Sequence, residues 1–495
     1  MSETATTAAP TPPQKKRAGV GRWIARILIA LLVLVVLLIA VIIGALLYFH
    51  IPSNASGMAA KSICSAAFVA GRDEDATTLM EQDVLPASPV LSVISTEIDD
   101  QQHTVTAKFL GLFPRQASLV TDRGCVLDLA ADPGAQPYTP KPDDPRAWPE
   151  GDGVAKPAEQ PEGVDTAALE KVVEQAFVGE GDPKAANARG VAVVQDGRLL
   201  ALREGKGLPQ NVALHGWSMT KSVAAMLAYA QLQNAGVDVE TPVVDAFPEG
   251  REPSWVAQWR QDNRAQITVA DLFFMRDGLA LDEGYDPWGS VVQMLYGEPD
   301  MASWAAEHPA DHEPGTYWEY LSATSNILAQ VIQARFPNDQ EYWTDPITMF
   351  DQIGATTATL ETDTTGTWVG SSYLWASTAD WARLGQLMLD DGRWDGRAVL
   401  PPGFLKFTQT PAMPDGEGHG YGAQTWLLGD PIGGECKDYP GVPKDTVAME
   451  GHWGQLVATV PSYDAVIVRL GWTFSKSQFD GCQFLSDTVA TLKKP

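Results

Sequence analysis

The sequence predicts an α+β protein in which an antiparallel β-sheet is flanked by helices, joined to a mostly helical lobe and preceded by one N-terminal transmembrane helix. Three observations favour this class. An uncharged apolar run stands near the N-terminus, two pairs of β-like segments are each divided by a tight turn, and a long apolar helix lies between those pairs. Of the 495 residues, those from 164 onward are ample for a large core.

The N-terminal apolar run, residues 27–49, has the length of a membrane span. Its 23 residues carry no charge and form a helix long enough to cross about 30 Å of hydrocarbon. The positive-inside rule predicts that the preceding tail is cytoplasmic and the remainder extracytoplasmic, periplasmic or extracellular. Cleavage near residues 53–55, where small residues follow the run, is the alternative. The basic residues of the tail are Lys15, Lys16, Arg17, Arg22 and Arg26.

Between the apolar run and residue 164 the sequence falls into two parts. Residues 50–130 contain two short β-like runs, 90–94 and 104–109, and no catalytic motif, which predicts a small β-rich accessory segment. Residues 131–163 repeat Pro, Asp and Gly, which predicts an irregular linker or wrapping segment.

The chain has four cysteines, an even number that suits an oxidising compartment. Three pairings exist. We expect Cys64 to pair with Cys125 and Cys436 with Cys482, because each pair then lies within one region of the chain. Free buried thiols are the alternative.

Charge and composition exclude several function classes. The 35 basic and 62 acidic residues give a formal net charge of −27, which argues against binding nucleic acid through a basic patch. We expect no cofactor and no metal, since His308 and His312 have ligand spacing but Pro309 breaks the helix that would align them. The sequence does not indicate the oligomeric state.

Ser218 and Lys221 are the most informative pair in the chain. The apolar run 223–230 follows them, and no helix breaker occurs before Gly236. Residues three apart share a helix face, so the amine lies beside the hydroxyl. Near the N-cap, free N–H groups favour a developing negative charge, and a desolvated lysine can take the serine proton. A serine cap with an exposed lysine is the alternative.

The flanking segments resemble one known superfamily. A hairpin at 189–202 precedes the Ser–Lys helix, and the stretches 268–272 and 275–279 follow it. This order resembles the β-lactamase and penicillin-binding-protein superfamily over residues 164–495. The resemblance is strongest to the branch of class C β-lactamases, related esterases and 6-aminohexanoate-dimer (nylon-oligomer) hydrolases.

The resemblance implies a β-lactamase/transpeptidase-like fold with two subdomains. Helix 164–178 and the hairpins 190–203 and 455–471 are expected to build the antiparallel sheet, which a helix near 480–493 closes. Residues 218–400 are expected to form the helical lobe, with the active site between the lobe and the sheet.

The resemblance also implies a catalytic tyrosine. In the superfamily a tyrosine that faces the serine carries a proton to or from the leaving group. Aligning the turn at 314–315 and the apolar helix at 327–332 assigns this role to Tyr320. Tyr317 is the competing candidate.

A third motif, His452-Trp453-Gly454, resembles the H-x-G form of the superfamily's third active-site element. The resemblance implies that His452 lines the cleft and that Gly454 lets the substrate approach closely. The backbone N–H groups of Gln455 and Ser218 are the expected oxyanion hole. A buried structural histidine is the alternative, and a Ser–His–Asp triad through His452 also stays open.

Two departures from the β-lactamase pattern bear on the substrate. His452 is mostly neutral at pH 7, whereas a K-T-G lysine would offer a fixed cation. Ser322, which we expect to contact substrate, replaces the asparagine that often stands two residues after the tyrosine. Both departures resemble the esterase and nylon-oligomer hydrolase branch.

We therefore expect a membrane-anchored extracytoplasmic serine hydrolase that acts on a small ester or amide. A β-lactamase or D-alanyl peptidase-like enzyme is one alternative, and a catalytically silent envelope-binding protein is another. The expected divisions are a cytoplasmic tail, a transmembrane helix, an accessory segment, a linker and a hydrolase domain, at residues 1–26, 27–49, 50–130, 131–163 and 164–495.

Overall fold

The computed structural model describes residues 20–84, 89–139, 144–179, 182, 185–209, 211–413 and 418–494. The chain forms two units, residues 1–51 and 52–495. Two sequence predictions fall partly outside the described residues: the basic cluster at 15–17 and residues 140–143 of the linker.

In the described part of the first unit, helix α1 spans Val20–Tyr48. Its stretch Gly21–Tyr48 is, within the described residues, the one helix long and apolar enough to cross a membrane. The helix begins seven residues before the predicted apolar run because Arg22 and Arg26 do not interrupt helical propensity.

The second unit contains the remaining elements. Its helices are α2 Ile51–Cys64, α3 Ala76–Leu79, α4 Thr166–Ala176, α5 Met219–Ala235, α6 Ser254–Trp259, α7 Val269–Phe273, α8 Ser290–Gly297, α9 Met301–Ala306, α10 Ser322–Gln333, α11 Asp339–Gln352, α12 Thr378–Leu389, α13 Phe404–Thr408 and α14 Gly481–Thr491. Its strands are β1 Ile94–Asp99, β2 Thr104–Phe109, β3 Leu112–Val120, β4 Gly124–Leu127, β5 Ala188–Gln195, β6 Arg198–Glu204, β7 Leu214–His215, β8 Thr359–Leu360, β9 Leu374–Ala376, β10 Arg393–Trp394, β11 Arg397–Ala398, β12 Val447–Gly451, β13 Gln455–Val460 and β14 Ala465–Gly471.

The main sheet has five antiparallel strands in the order β12-β13-β14-β5-β6. The two predicted hairpins are confirmed, and they join because β14 pairs with β5. Asp196 and Gly197 form the predicted turn with φ of 48° and 64°. The sheet confirms the predicted fold class, while β12 was not predicted.

Both faces of this sheet are covered, so its central strands are almost wholly apolar. Val191 and Val193 of β5 pack in a core with Leu169 of α4 and Leu485 of α14. The alternate residues of the same strand face the larger core on the other side, where α12 packs against β13, β14 and β5.

The helical lobe begins with α5, which packs against β12 on one side and α10 on the other. Because it is enclosed by both, α5 is buried along nearly its whole length and lacks a polar face. It ends at Gly236, whose φ of 64° supplies the left-handed C-cap. The ends of α4, α5 and α14 lie within a few residues of their predicted positions.

The accessory segment is a four-stranded antiparallel meander, β1 to β4, next to α2. The predicted strand at 90–94 is wrong, because residues Pro89–Val93 form a 3-10 turn and β1 starts only at Ile94. A proline fixes its own φ and has no N–H to donate to a ladder. Both predicted disulfides, Cys64–Cys125 and Cys436–Cys482, are present.

A buried carboxylate attaches the accessory segment to the catalytic part of the chain, residues 164–494. Glu361 forms an ion pair with Lys61 and accepts hydrogen bonds from the Ser65 hydroxyl (2.8 Å), the Cys125 N–H (2.8 Å) and the Trp375 indole (2.9 Å). Glu361 has no exposed surface. Four donors from three segments therefore converge on one side chain and fix α2 and β4 in place.

The described part of the linker wraps around the catalytic part. Trp148 is buried against Trp394, and Arg383 of α12 binds the carbonyl oxygens of Pro149 and Gly151. The Arg383 guanidinium also pairs with Asp152 at 2.9 Å.

Candidate active site

A tight turn aims Ser218 into the protein. Strand β7 ends at His215, and Gly216 follows with its Cα against Trp381, where any Cβ would collide with the indole ring. Trp217 then adopts a φ of 50°, which is rare for a bulky residue and costs about 1–3 kcal/mol. Because the folded protein maintains this strained conformation of Trp217, the direction of the following Ser218 side chain is fixed.

Ser218 occupies the N-cap of α5, as the sequence predicted, but its hydroxyl makes no capping hydrogen bond. Lys221 is buried, and its Nζ lies 3.1 Å from Ser218 Oγ. The alternative interpretation required a capping hydrogen bond to the Ser218 hydroxyl and an exposed Lys221 side chain, and the structure shows neither.

Three oxygen atoms surround the Lys221 amine: Ser218 Oγ at 3.1 Å, Ser322 Oγ at 2.9 Å and the Ser371 carbonyl oxygen at 3.1 Å. Burial removes water from the ammonium and lowers the pKa of Lys221 to about 8, while the Glu283 carboxylate acts in the opposite direction. A substantial fraction of the amine is therefore neutral in weakly basic solution and can accept a proton.

Tyr320 lies beside this pair. Lys221 Nζ is 4.7 Å from the centre of the Tyr320 ring. Burial raises the pKa of Tyr320, and a hydrogen bond with Ser218 opposes that increase. Tyr317, the competing candidate, is instead exposed and stacks on His312 at 3.8 Å.

Glu283 is a site residue that the sequence did not predict. Its carboxylate accepts hydrogen bonds from the N–H and the hydroxyl of Ser322, both at 2.6 Å. It also stands 3.9 Å from Lys221 Nζ. Ser322 is the first residue of α10, so the helix N-terminus favours the ionised carboxylate. Burial raises the pKa of Glu283, and the Lys221 ammonium opposes that shift.

The position of Ser322 differs from the expected one. We expected it to contact substrate, but it is fully buried. Its hydroxyl accepts from Lys221 and donates to Glu283. In this structure Ser322 therefore links the catalytic amine to a carboxylate.

His452 lies at the mouth of the site. Its ring stacks on Tyr285 with centroids 4.3 Å apart, and burial lowers the pKa of His452 to about 4. The imidazole is therefore neutral at pH 7, as expected. Burial raises the pKa of Tyr285, and the nearby Ser218 hydroxyl opposes that shift. The Tyr285 hydroxyl is buried and makes no hydrogen bond of normal geometry.

Gly454 is required for a reason other than the expected one. Its φ is 80°, and a Cβ there would stand 2.5 Å from Arg469 Nη1. That guanidinium donates to the Gly454 carbonyl oxygen at 2.6 Å. Because Gly454 has no side chain, the buried Arg469 fits beside it and stabilises the turn through this hydrogen bond.

Gln455 begins β13 and pairs with Gly451 across the hairpin. Gly451 packs so closely on the Gly216 carbonyl that a Cβ would collide with it. This contact brings the β12–β13 hairpin against the turn that carries Ser218. The Gln455 side-chain amide donates to the His452 carbonyl oxygen at 3.1 Å and thereby fixes the turn.

A cavity of about 590 Å³ opens beside the same hairpin. Among the described residues, its lining includes three carboxylates, of Glu435, Glu450 and Asp480, and no lysine or arginine. Four aromatic rings, of Tyr439, Trp453, Phe474 and Phe479, also line it. A negatively charged ligand would meet these carboxylates there.

No spacing rule could have found Glu283. It lies in an irregular loop, and its partner Ser322 is 39 residues further along the chain. Of the aromatic residues close to this loop and to Tyr320, Trp288 is exposed, whereas Trp318 packs on Tyr421.

The sequence matches the family model described as Beta-lactamase over residues 173–478. No curated protein matches it. Among solved structures, similar folds occur in a 6-aminohexanoate-dimer hydrolase homologue from Bacillus anthracis (18% identity, 62% of this chain and 81% of that chain, TM-score 0.50). A penicillin-binding protein homologue from Caulobacter crescentus is also similar (15%, 67% and 98%, TM-score 0.50), as is a family VIII carboxylesterase (12%, 69% and 99%, TM-score 0.52).

Proposed function

The chain belongs to the Beta-lactamase family and is a serine hydrolase, and we propose that it cleaves an ester or amide bond through an acyl-enzyme on Ser218. The distance of 3.1 Å between Lys221 Nζ and Ser218 Oγ, in a buried setting beside Tyr320, is the observation that carries this proposal. A hydroxyl needs a neighbouring base to become a nucleophile, and a partly neutral amine at hydrogen-bond distance supplies one.

The proposed reaction has two steps. Neutral Lys221 takes the proton of Ser218 as the hydroxyl attacks the carbonyl carbon, and the N–H groups of Ser218 and Gln455 stabilise the oxyanion. Tyr320 relays the proton that Lys221 has accepted to the leaving group, so that both residues return to their initial protonation states. Water then attacks the acyl-enzyme with the Lys–Tyr pair as base, which releases the acid and restores Ser218.

The charge around the site favours ester or amide substrates over β-lactams. A β-lactam carries a carboxylate, and the neutral His452 offers it no positive charge. The lining of the neighbouring cavity contains three carboxylates. These carboxylates would repel an anionic substrate. A neutral ester would not meet this repulsion.

We also propose that α1 anchors the enzyme in a membrane, with the hydrolase domain on the extracytoplasmic side. The length and hydropathy of α1 support a span, and the charges at Arg22 and Arg26 support a cytoplasmic N-terminus. Two disulfides support an oxidising compartment for the rest of the chain.

Replacing the nucleophile tests this proposal. Ser218→Ala should lower hydrolysis of a p-nitrophenyl ester by at least about 10³-fold and remove labelling by a fluorophosphonate probe, because the other serine hydroxyl beside the base, that of Ser322, is fully buried and donates to Glu283. Ser462→Ala, in an exposed turn at the opposite end of β13, is the control and should retain both activities.

Three results would argue against the proposed activity. Undiminished turnover by the alanine variant would remove Ser218 as the nucleophile. Nitrocefin turnover faster than ester hydrolysis would favour a β-lactamase, and absence of probe labelling in the unmodified protein would favour a catalytically silent binding protein.

A further inference from the structure

The hairpin between β2 and β3 ends in exposed apolar side chains. Residues 109–114, Phe-Leu-Gly-Leu-Phe-Pro, contain no charge. Leu110 is 67% exposed, Leu112 62% and Phe113 39%. Val93, whose carbonyl oxygen accepts the Leu110 N–H at 3.0 Å, is also 39% exposed. We call these four residues the apolar tip.

The apolar tip concentrates the exposed apolar surface of its unit. Among the described residues between 52 and 494, nine large hydrophobic side chains are exposed, and four of them form the tip. The other five are widely separated along the sequence. Isolated exposed apolar residues need no explanation, whereas a cluster marks an interaction surface.

The backbone of the tip is strained, which argues that its apolar residues serve a purpose. Phe109 pairs with Leu112, so Leu110 and Gly111 form a two-residue turn with φ of 49° and 73°. Such turns favour Asn-Gly, because a leucine in the left-handed region is disfavoured. Phe113 has a φ of 51° as well. Solubility and backbone preference would both favour polar residues here.

The tip lies at the same end of the accessory sheet as Ser53, near the start of the second unit. Arg115 of β3, two residues beyond Phe113, donates to Ser53 Oγ at 3.1 Å. Ser53 follows Tyr48, the last residue of α1, by five residues. At the opposite end of β2, the turn that follows β1 exposes Asp100, Gln101 and Gln102. The turn between β2 and β3 is therefore apolar, and the turn between β1 and β2 is polar.

We propose that the apolar tip inserts into the lipid bilayer that α1 crosses, as a second membrane contact of the same chain. This inference rests on the proposed membrane anchor. A bilayer is the occupant that the chain itself brings to this end of the sheet, and its acyl region accepts apolar side chains without specific partners. Because Glu361 fixes the accessory segment to the catalytic part, two attachment points would set the orientation of the active site relative to the membrane.

Spin labelling of the full chain in phosphatidylcholine vesicles tests the tip. The native cysteines are all paired, so one nitroxide can be placed through Leu112→Cys, through Leu34→Cys in α1, or through Gln101→Cys in the polar turn. Collisions with oxygen and with a water-soluble nickel complex report the depth of each label. We expect the labels at 112 and 34 to favour oxygen at least fivefold relative to the label at 101.

Each result decides the inference. A label at 112 that behaves like the label at 101, while the label at 34 is in lipid, would overturn the tip and leave the anchor. A label at 34 in water would overturn both. Dipolar broadening at 112 without exposure to lipid would indicate a second copy of this chain and would also overturn the inference.

The unmodified protein provides a second measurement. A photoactivatable phosphatidylcholine in the same vesicles should cross-link to the peptide that contains residues 109–114 as well as to peptides of α1. Cross-links confined to α1 would contradict the inference without any substitution.

Discussion

At the residue scale, the amine of Lys221 is subject to two opposing influences. Burial favours the neutral form, and the Glu283 carboxylate at 3.9 Å favours the charged form. The balance sets the pH at which the amine becomes a base. Glu283 also contacts the amine indirectly through Ser322, whose hydroxyl accepts from Lys221 and donates to Glu283.

We expect kcat/KM for a neutral ester to rise with pH through a midpoint near 8, because the pKa of Lys221 is about 8 and only the neutral amine accepts the serine proton. Glu283→Gln removes the charge that raises this pKa. The midpoint should therefore move to lower pH, by about one unit. Asp286→Asn, an exposed carboxylate in the same loop, is the matched control and should leave the midpoint unchanged. A midpoint at higher pH in Glu283→Gln would contradict the assignment of Glu283 as the group that raises the pKa of Lys221.

At the element scale, the hairpin β12–β13 is held against the nucleophile turn by close backbone contacts. Gly451 and Gly216 both stand where a Cβ would collide with a neighbour. Gly454 is held by the guanidinium of the fully buried Arg469. These three glycines thus permit packing of protein against protein.

Gly454→Ala should lower the free energy of unfolding by about 3 kcal/mol, which combines a left-handed alanine with a clash against Arg469. Gly197→Ala is the matched control, because its φ is 64° but no atom lies within 4 Å of the new Cβ. It should cost about 1–2 kcal/mol. Urea unfolding of the two variants gives the comparison, and equal losses would exclude the clash.

At the scale of the whole molecule, the accessory segment and the catalytic part behave as one unit through Glu361. Its four donors come from α2, the adjoining Ser65, β4 and β9. A buried carboxylate with this many partners couples the two parts, because any separation would leave charges and N–H groups without partners in an apolar setting.

Glu361→Ala should lower the free energy of unfolding by about 3–5 kcal/mol, since it leaves the Lys61 ammonium buried without its anion. Lys493→Ala removes a half-exposed ion pair with Asp196 and should cost no more than about 1 kcal/mol. Thermal unfolding and hydrogen exchange of β1 to β4 measure the effect. Unchanged protection of these strands in Glu361→Ala would show that the contact does not couple the parts.

Much of the fold could be predicted from local signals. The turn at Asp196-Gly197, the breaker at Gly236 and the apolar runs beside them identify β5, β6 and α5, because chain geometry alone decides those features. Strand β12 and the start of β1 were missed. Their pairing depends on distant partners, and the sequence around Pro89 resembles a strand only in its composition.

The sequence by itself determined that Ser218 and Lys221 share one helix face, because a spacing of three residues fixes that geometry wherever the helix forms. It also determined the apolar span near the N-terminus. Only the tertiary structure decided that Glu283 and Ser322 meet Lys221 across more than 60 residues of chain, and that the amine is dry enough to act as a base. Burial and charge depend on long-range packing, and no local pattern encodes them.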